Sequence, residues 1–96
     1  MTIYQTRPGV VLTEVCGEYL LVAAKRLLDT CPYVTQINES SAVLWRRLES
    51  GATLPELEQA VLDEYEIDDP AQMRTSILEF LRQMQEGNYL LEETQP

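Results

Sequence analysis

The second half of this chain is punctuated for three short helices, and that punctuation limits the fold more than any other feature. Asn38 is an N-cap residue ahead of a pattern in which Ser41, Leu44, Trp45 and Leu48 share one face at i, i+3, i+4 and i+7. Ser50-Gly51 ends that helix, because glycine tolerates the left-handed position past a helix C-terminus. Thr53-Leu54-Pro55-Glu56 is a capping box with Pro inside the first turn, and Leu54, Leu57, Val61 and Tyr65 form the apolar face behind it. Asp69-Pro70-Ala71-Gln72 repeats the device. Met73, Ile77, Phe80, Leu81 and Met84 then line the core side of a third helix that Gly87 closes.

Ahead of Asn38 the pattern changes to strands. Val10-Val11-Leu12-Thr13-Glu14-Val15 is rich in β-branched residues, Cys16-Gly17 is a turn signal, and Glu18-Tyr19-Leu20-Leu21-Val22-Ala23 is a second apolar run. So short a connection predicts an antiparallel hairpin. Ala24 to Pro32 is compatible with a helical turn or a loop, since periodicity over five residues decides nothing. Tyr33-Val34-Thr35-Gln36-Ile37 is a third strand, roughly 17 Å long at ~3.3 Å per residue. After Gly87, Asn88-Tyr89-Leu90-Leu91 either adds a short strand or packs down, and Glu92 onwards is a polar tail. The order β-β-β-α-α-α predicts an α+β, winged helix-turn-helix-like fold: a three-stranded antiparallel sheet followed by three helices. One domain is expected over residues 1–96, with its core at about 9–92.

Charge narrows the chemistry. Seven Lys and Arg stand against 16 Asp and Glu, a net charge of −9, and there is no histidine. That removes the Ser-His and Cys-His nucleophile arrangements and any His-bearing zinc site, so an enzyme is not expected. Nucleic-acid affinity depends on neutralising phosphates with Lys and Arg, so a chain this acidic is a poor nucleic-acid binder. No apolar run approaches the ~20 residues that span a membrane, and the first ten residues lack the apolar stretch of a signal peptide. The expected location is cytoplasmic, with Cys16 and Cys31 as two thiols; a strand-to-strand disulfide is the alternative. No cofactor and no metal is expected.

Glu49, Glu56, Glu58, Asp63, Glu64, Glu66, Asp68 and Asp69 form an acidic block with no Lys or Arg between positions 48 and 73. They fall on capping and exposed positions, without the pocket that a catalytic carboxylate pair needs. The loop spacing and central glycine of a calcium site are also missing. The block reads as a solvated face, or as a docking surface for a basic patch on a partner.

The stretch YVTQINESSAVLWRRLESGATLPELEQAVLDEY, followed by ILEFLRQMQEGNYLLEE, resembles the PqqD-like family of pyrroloquinoline-quinone biosynthesis protein D. Its domain is also the peptide-recognition element of pathways for ribosomally made, modified peptides. Ile37-Asn38-Glu39-Ser40 and Trp45 match the family's opening of the first helix. Gly51-Ala52-Thr53, Glu64-Tyr65-Glu66, Phe80-Leu81 and Gly87…Leu90-Leu91 match its later elements in order, and Val11-Leu12…Val15…Gly17-Glu18-Tyr19…Leu21-Val22 is similar to the hairpin of some members. The resemblance covers about residues 9–92. Three features depart from it: Ser41 stands where members usually carry Ala or Gly, Asn88-Tyr89 separates Gly87 from its Leu-Leu, and Ala24–Pro32 replaces a Gly-containing turn.

The resemblance implies a non-catalytic binder that grips the leader of a precursor peptide and delivers it to a modifying enzyme, with a radical S-adenosylmethionine enzyme as the implied partner. It also implies strand addition: the leader pairs with the edge of the third strand, in a groove beside the third helix. The expected peptide-binding residues are Tyr33, Val34, Thr35, Gln36 and Ile37 on the strand, and Arg74, Ile77, Leu78, Leu81 and Arg82 on the helix. That strand contains neither proline nor charge, whereas natural sheet edges are usually defended by Lys, Pro or bulges. Arg74, Leu78 and Arg82 share a face at i, i+4 and i+8, which suits a peptide with acidic and aliphatic side chains. Alternatively, both arginines pair with Glu79 or Glu86 and Leu78 widens the core stripe. The competing function is a winged-helix transcriptional regulator or another protein–protein adaptor. Against a regulator stand the acidic second helix and the mixture of Arg74 and Arg82 with Glu79 and Glu86.

Overall fold

A computed structural model describes residues 1–94; the end of the expected polar tail, residues 95–96, lies outside the described residues. The chain runs β1 (Thr2–Thr6), β2 (Val10–Val15), β3 (Glu18–Ala23), a 3-10 turn (Lys25–Leu27), β4 (Val34–Ile37), α1 (Glu39–Leu48), α2 (Leu54–Glu64), α3 (Pro70–Glu86) and β5 (Leu90–Thr94). Strands β2, β3 and β4 form one antiparallel sheet in that order, followed by the three helices. This is the expected α+β, winged helix-turn-helix-like arrangement. Cys16 and Gly17 join β2 to β3 with φ of 51° and 80°. Positive φ at both central residues is what a type I′ turn requires, and its twist suits the flanking strands. Cys16 is exposed at that turn while Cys31 is buried, and both are free thiols, so the disulfide alternative does not hold.

The helix starts follow their punctuation. Asn38 Oδ1 accepts the Ser41 amide at 2.8 Å, and Asp69 Oδ1 accepts the Gln72 amide at 3.1 Å. Thr53 and Glu56 complete a reciprocal capping box, with Glu56 Oε1 accepting the Thr53 amide at 2.9 Å. Arg47 reinforces the joint by donating to Gly51 O and Glu56 Oε2, each at 2.8 Å.

Thr2–Thr6 is a strand that the sequence reading did not expect. Its antiparallel partner is Leu90–Thr94, with Thr6 opposite Leu90 and Thr2 opposite Thr94, so the strand alternative holds at Leu90-Leu91 and runs on through residues 92–94 of the expected polar tail. Thr2, Ile3, Tyr4 and Thr6 are strand formers, but the pairing joins opposite ends of the chain, where local pattern has no reach. Strand β1 is also bridged to the α1–α2 connection, because Tyr4 and Ala52 exchange amide-to-carbonyl bonds of 2.8 and 2.9 Å. The end of α3 differs in detail: the left-handed residue is Asn88, with φ of 60°, and not Gly87, whose φ is −81°. Gly87 is there for space, since a Cβ on it would meet Cδ2 of Tyr89 at 3.1 Å.

Tyr89 sits at the centre of the packing. Only 1% of it is exposed, and its ring meets Trp45 edge-on at 6.3 Å between centroids. Its hydroxyl donates to Pro32 O at 2.9 Å and accepts from Thr35 Oγ1 at 2.6 Å. Its amide donates to Met84 O at 2.9 Å, and its carbonyl accepts the Arg7 amide at 2.8 Å. One side chain thus ties the end of α3 to the segment entering β4. It belongs to the same buried cluster as Leu21, Leu48, Leu57, Ile77, Phe80, Leu81 and Met84.

Two outcomes follow from this packing. Leu81→Ala should cost ~2–5 kcal/mol by emptying a buried site, whereas Leu78→Ala, at a residue 46% exposed, should cost less than ~1 kcal/mol. Chemical denaturation of both variants measures the difference. Tyr89→Phe keeps the ring contact but strands the Pro32 carbonyl and the Thr35 hydroxyl, and should destabilise by ~1–3 kcal/mol in the same assay.

Candidate functional site

Among the described residues strand β4 pairs with β3 on one side only, so its other edge is open. The register identifies which backbone groups point outward. The Ala23 amide donates to Tyr33 O at 2.8 Å, and Tyr19 lies opposite Ile37 and Leu21 opposite Thr35. In an antiparallel ladder hydrogen-bonded pairs alternate with non-bonded ones. Tyr33, Thr35 and Ile37 therefore spend their backbone groups on β3, and Val34 and Gln36 turn theirs to the open edge. Tyr33 itself precedes the strand and is exposed.

Helix α3 stands off from that edge and leaves a groove of about 320 Å³. Thr35, Gln36 and Ile37 form one wall, Phe80, Gln83, Met84 and Gly87 the other, and Pro32 and Tyr89 also line it. Past Asn38, Ser41, Phe80 and Gln83, which line both spaces, the groove opens into a wider cleft of about 960 Å³. Leu44, Val61, Met73, Ile77 and Phe80 supply the apolar surface of the cleft. Its polar rim comes from the first turn of α1, from Tyr65 and Glu66 after α2, and from Gln72, Thr75, Ser76 and Glu79 of α3.

The structure brings only some of the expected helix residues to this groove. Ile77 lines the wide cleft, and Leu81 is buried in the core. Arg74, Leu78 and Arg82 line neither space. At about 100° per residue, Leu78 lies ~160° around α3 from Phe80, so the strip at i, i+4 and i+8 faces away from β4. Arg74 is held by Glu58, Nε to Oε1 at 2.9 Å, and Arg82 pairs with Glu79 and Glu86. The alternative for Arg82, intrahelical pairing, is what the structure has; Arg74 pairs across to α2. The sequence reading missed Phe80, Gln83, Met84, Gly87 and Tyr89 as groove residues. The spacing Ser76, Phe80, Gln83, Gly87 is itself a helical face, and its mixture of small, polar and apolar residues was the available signal.

The ionisable groups around the cleft are acidic. Tyr65 Oη donates to Glu39 Oε1 at 3.4 Å; burial, then the charge of Glu39, hold its phenol above the usual range. The hydrogen bond from Arg82 keeps the Glu79 carboxyl below the ordinary carboxylate range. Among the described residues no group of three or more His, Cys, Asp or Glu is placed to hold a metal ion. No helix among them is long and apolar enough to cross a membrane.

Two solved structures share this fold. TbiB1 in complex with the TbiA(beta) leader peptide superposes with a TM-score of 0.70 at 20% identity, covering 90% of this chain and 93% of that one. Lasso peptide synthetase B1 complexed with the leader peptide gives a TM-score of 0.70 at 18% identity, covering 92% and 96%. No curated protein matches the chain. Residues 18–90 match the family described as Coenzyme PQQ synthesis protein D (PqqD), a span that takes in the sheet edge, all three helices and Tyr89. The chain belongs to the PqqD family.

Proposed function

We propose that this protein is a non-catalytic leader-peptide-binding module. It captures the N-terminal part of a ribosomally made precursor by strand addition to β4, alongside α3, and presents it to a modifying enzyme. The observation that supports the reading is the open edge itself: Val34 and Gln36 turn two donors and two acceptors outward, beside a groove whose mixed lining includes Ile37, Phe80 and Met84. Family membership supports it, and so do two similar folds solved with leader peptides. The partner in this proposal is a radical S-adenosylmethionine enzyme, as the family resemblance implies; the lasso synthetase likeness supports a second class of peptide-tailoring partner.

Magnitudes fit a division of labour. Each added backbone hydrogen bond contributes a net ~0.5–1.5 kcal/mol, so the edge supplies a few kcal/mol. Micromolar affinity requires ~8 kcal/mol beyond the cost of ordering a disordered leader. Two or three leader side chains buried at ~1.5–3 kcal/mol each make up the difference. The groove and cleft offer Ile37, Phe80, Met84, Ile77 and Leu44 for that purpose.

The test uses a displayed library of random peptides about twelve residues long, ~40 Å when extended. Selection against the protein should yield binders, and titrating one of them should shift the Val34 and Gln36 amides most. Gln36→Pro removes an outward amide and should weaken that peptide about tenfold or more, ~1.4 kcal/mol, with little change in melting temperature. Thr35→Pro removes an amide spent on β3 and should lower stability instead. Shifts confined to the α2 surface would move the site, and salt-sensitive binding to duplex DNA would favour the regulator reading.

A further inference from the structure

The charges around the groove run opposite to those its helix sequence suggests. Seven cationic side chains are available, and none lines the groove or the cleft. Arg74 is committed to Glu58 and Arg82 to Glu79 and Glu86, on faces turned away from β4. The charged residues that do line the cleft are Glu39, Glu66 and Glu79, and the narrow groove has none. Glu79 is neutralised by Arg82, while Glu39 and Glu66 have no ion pair among the described residues. Among the described residues Glu39 accepts from the Tyr65 hydroxyl, a neutral donor.

Two helix N-termini border the same cleft, and a helix N-terminus on its own favours an anion. Here both are already occupied. Asn38 and Asp69 cap them with side-chain oxygens, Glu39 sits in the first turn of α1, and Asp69 adds a negative charge of its own. The cleft therefore combines an apolar floor with two uncompensated carboxylates at its rim.

We propose that the peptide taken by this groove is a basic one: beside the apolar side chain that enters the cleft it carries a Lys or Arg that meets Glu39 and Glu66. The inference rests on the leader-binding reading and adds the chemical class of leader. An acidic leader is excluded by repulsion from the same two carboxylates, in a chain whose net charge is already −9.

The experiment begins from the peptides selected above and makes, for one binder, a pair that differs only in Lys or Glu beside the apolar anchor. Fluorescence anisotropy on the native protein should show the Lys peptide bound about tenfold tighter than the Glu peptide at low salt, ~1.4 kcal/mol. The gap should close towards 1 M salt, where the screening length falls to ~3 Å. In the double variant Glu39→Gln, Glu66→Gln, both at exposed positions, the two peptides should bind alike, with melting temperature and the Val34 and Gln36 amide shifts retained. Selected peptides enriched in Asp and Glu, or Lys and Glu peptides bound equally by the native protein while those amides still shift, would overturn the charge preference and leave the leader reading standing. Failure of every peptide to bind would overturn both.

Discussion

The groove depends on Tyr89. Its hydroxyl holds the Pro32 carbonyl and the Thr35 side chain, its ring stacks edge-on against Trp45 of α1, and its backbone continues the end of α3 into β5. A phenol is suited to this position because it brings a large apolar ring and one polar tip that must find partners when buried. The tip reaches across from the helix end to the strand and fixes their separation. Gly87 keeps the ring in place by leaving the room that a Cβ would take. Asn88, left-handed with φ of 60°, turns the chain so that Tyr89 points inward. Its Nδ2 donates to Thr30 O at 2.7 Å, adding a second tie to the segment before β4. The Asn88-Tyr89 pair, a departure from the family pattern, thus ties the end of α3 to the segment before β4, and Tyr89 lines the groove.

Helix α3 serves two neighbours at once. Met73, Ile77, Phe80, Leu81 and Met84 face the core, while Phe80, Gln83, Met84 and Gly87 line the groove beside β4. Phe80 and Met84 belong to both, so part of the hydrophobic core is also the wall of the groove. The third side of the helix carries Arg74, Leu78 and Arg82 with their acidic partners, and its job is to stay solvated. Exposed pairs of this kind contribute little to stability. Their effect is to keep guanidinium groups out of a cleft whose unpaired charges are Glu39 and Glu66.

The acidic block resolves into separate roles. Glu56 completes a capping box and meets Arg47, Glu58 binds Arg74, Asp69 caps α3, and Asp63 accepts from Gln59. Glu66 alone of the eight lines the cleft. Five acids of a run that looks uniform in one dimension are thus divided by helix geometry into caps, pairs and one rim residue.

The sequence by itself determined the local elements. Asn38, Thr53 and Asp69 decide where helices begin because a capping oxygen acts on amides two or three residues away, and Cys16-Gly17 decides the hairpin because a two-residue turn needs positive φ. The lack of charge or proline in Val34–Ile37 marked it as an undefended edge for the same local reason. What only the tertiary structure decided was everything set by contacts across the chain. The pairing of Thr2–Thr6 with Leu90–Thr94, the inward aim of Thr35 and outward aim of Gln36, the pin at Tyr89 and the turning of Arg74, Leu78 and Arg82 away from β4 all depend on how rigid elements dock. Helical spacing says which residues share a face, but the direction in which a face points is chosen by burial of the whole core.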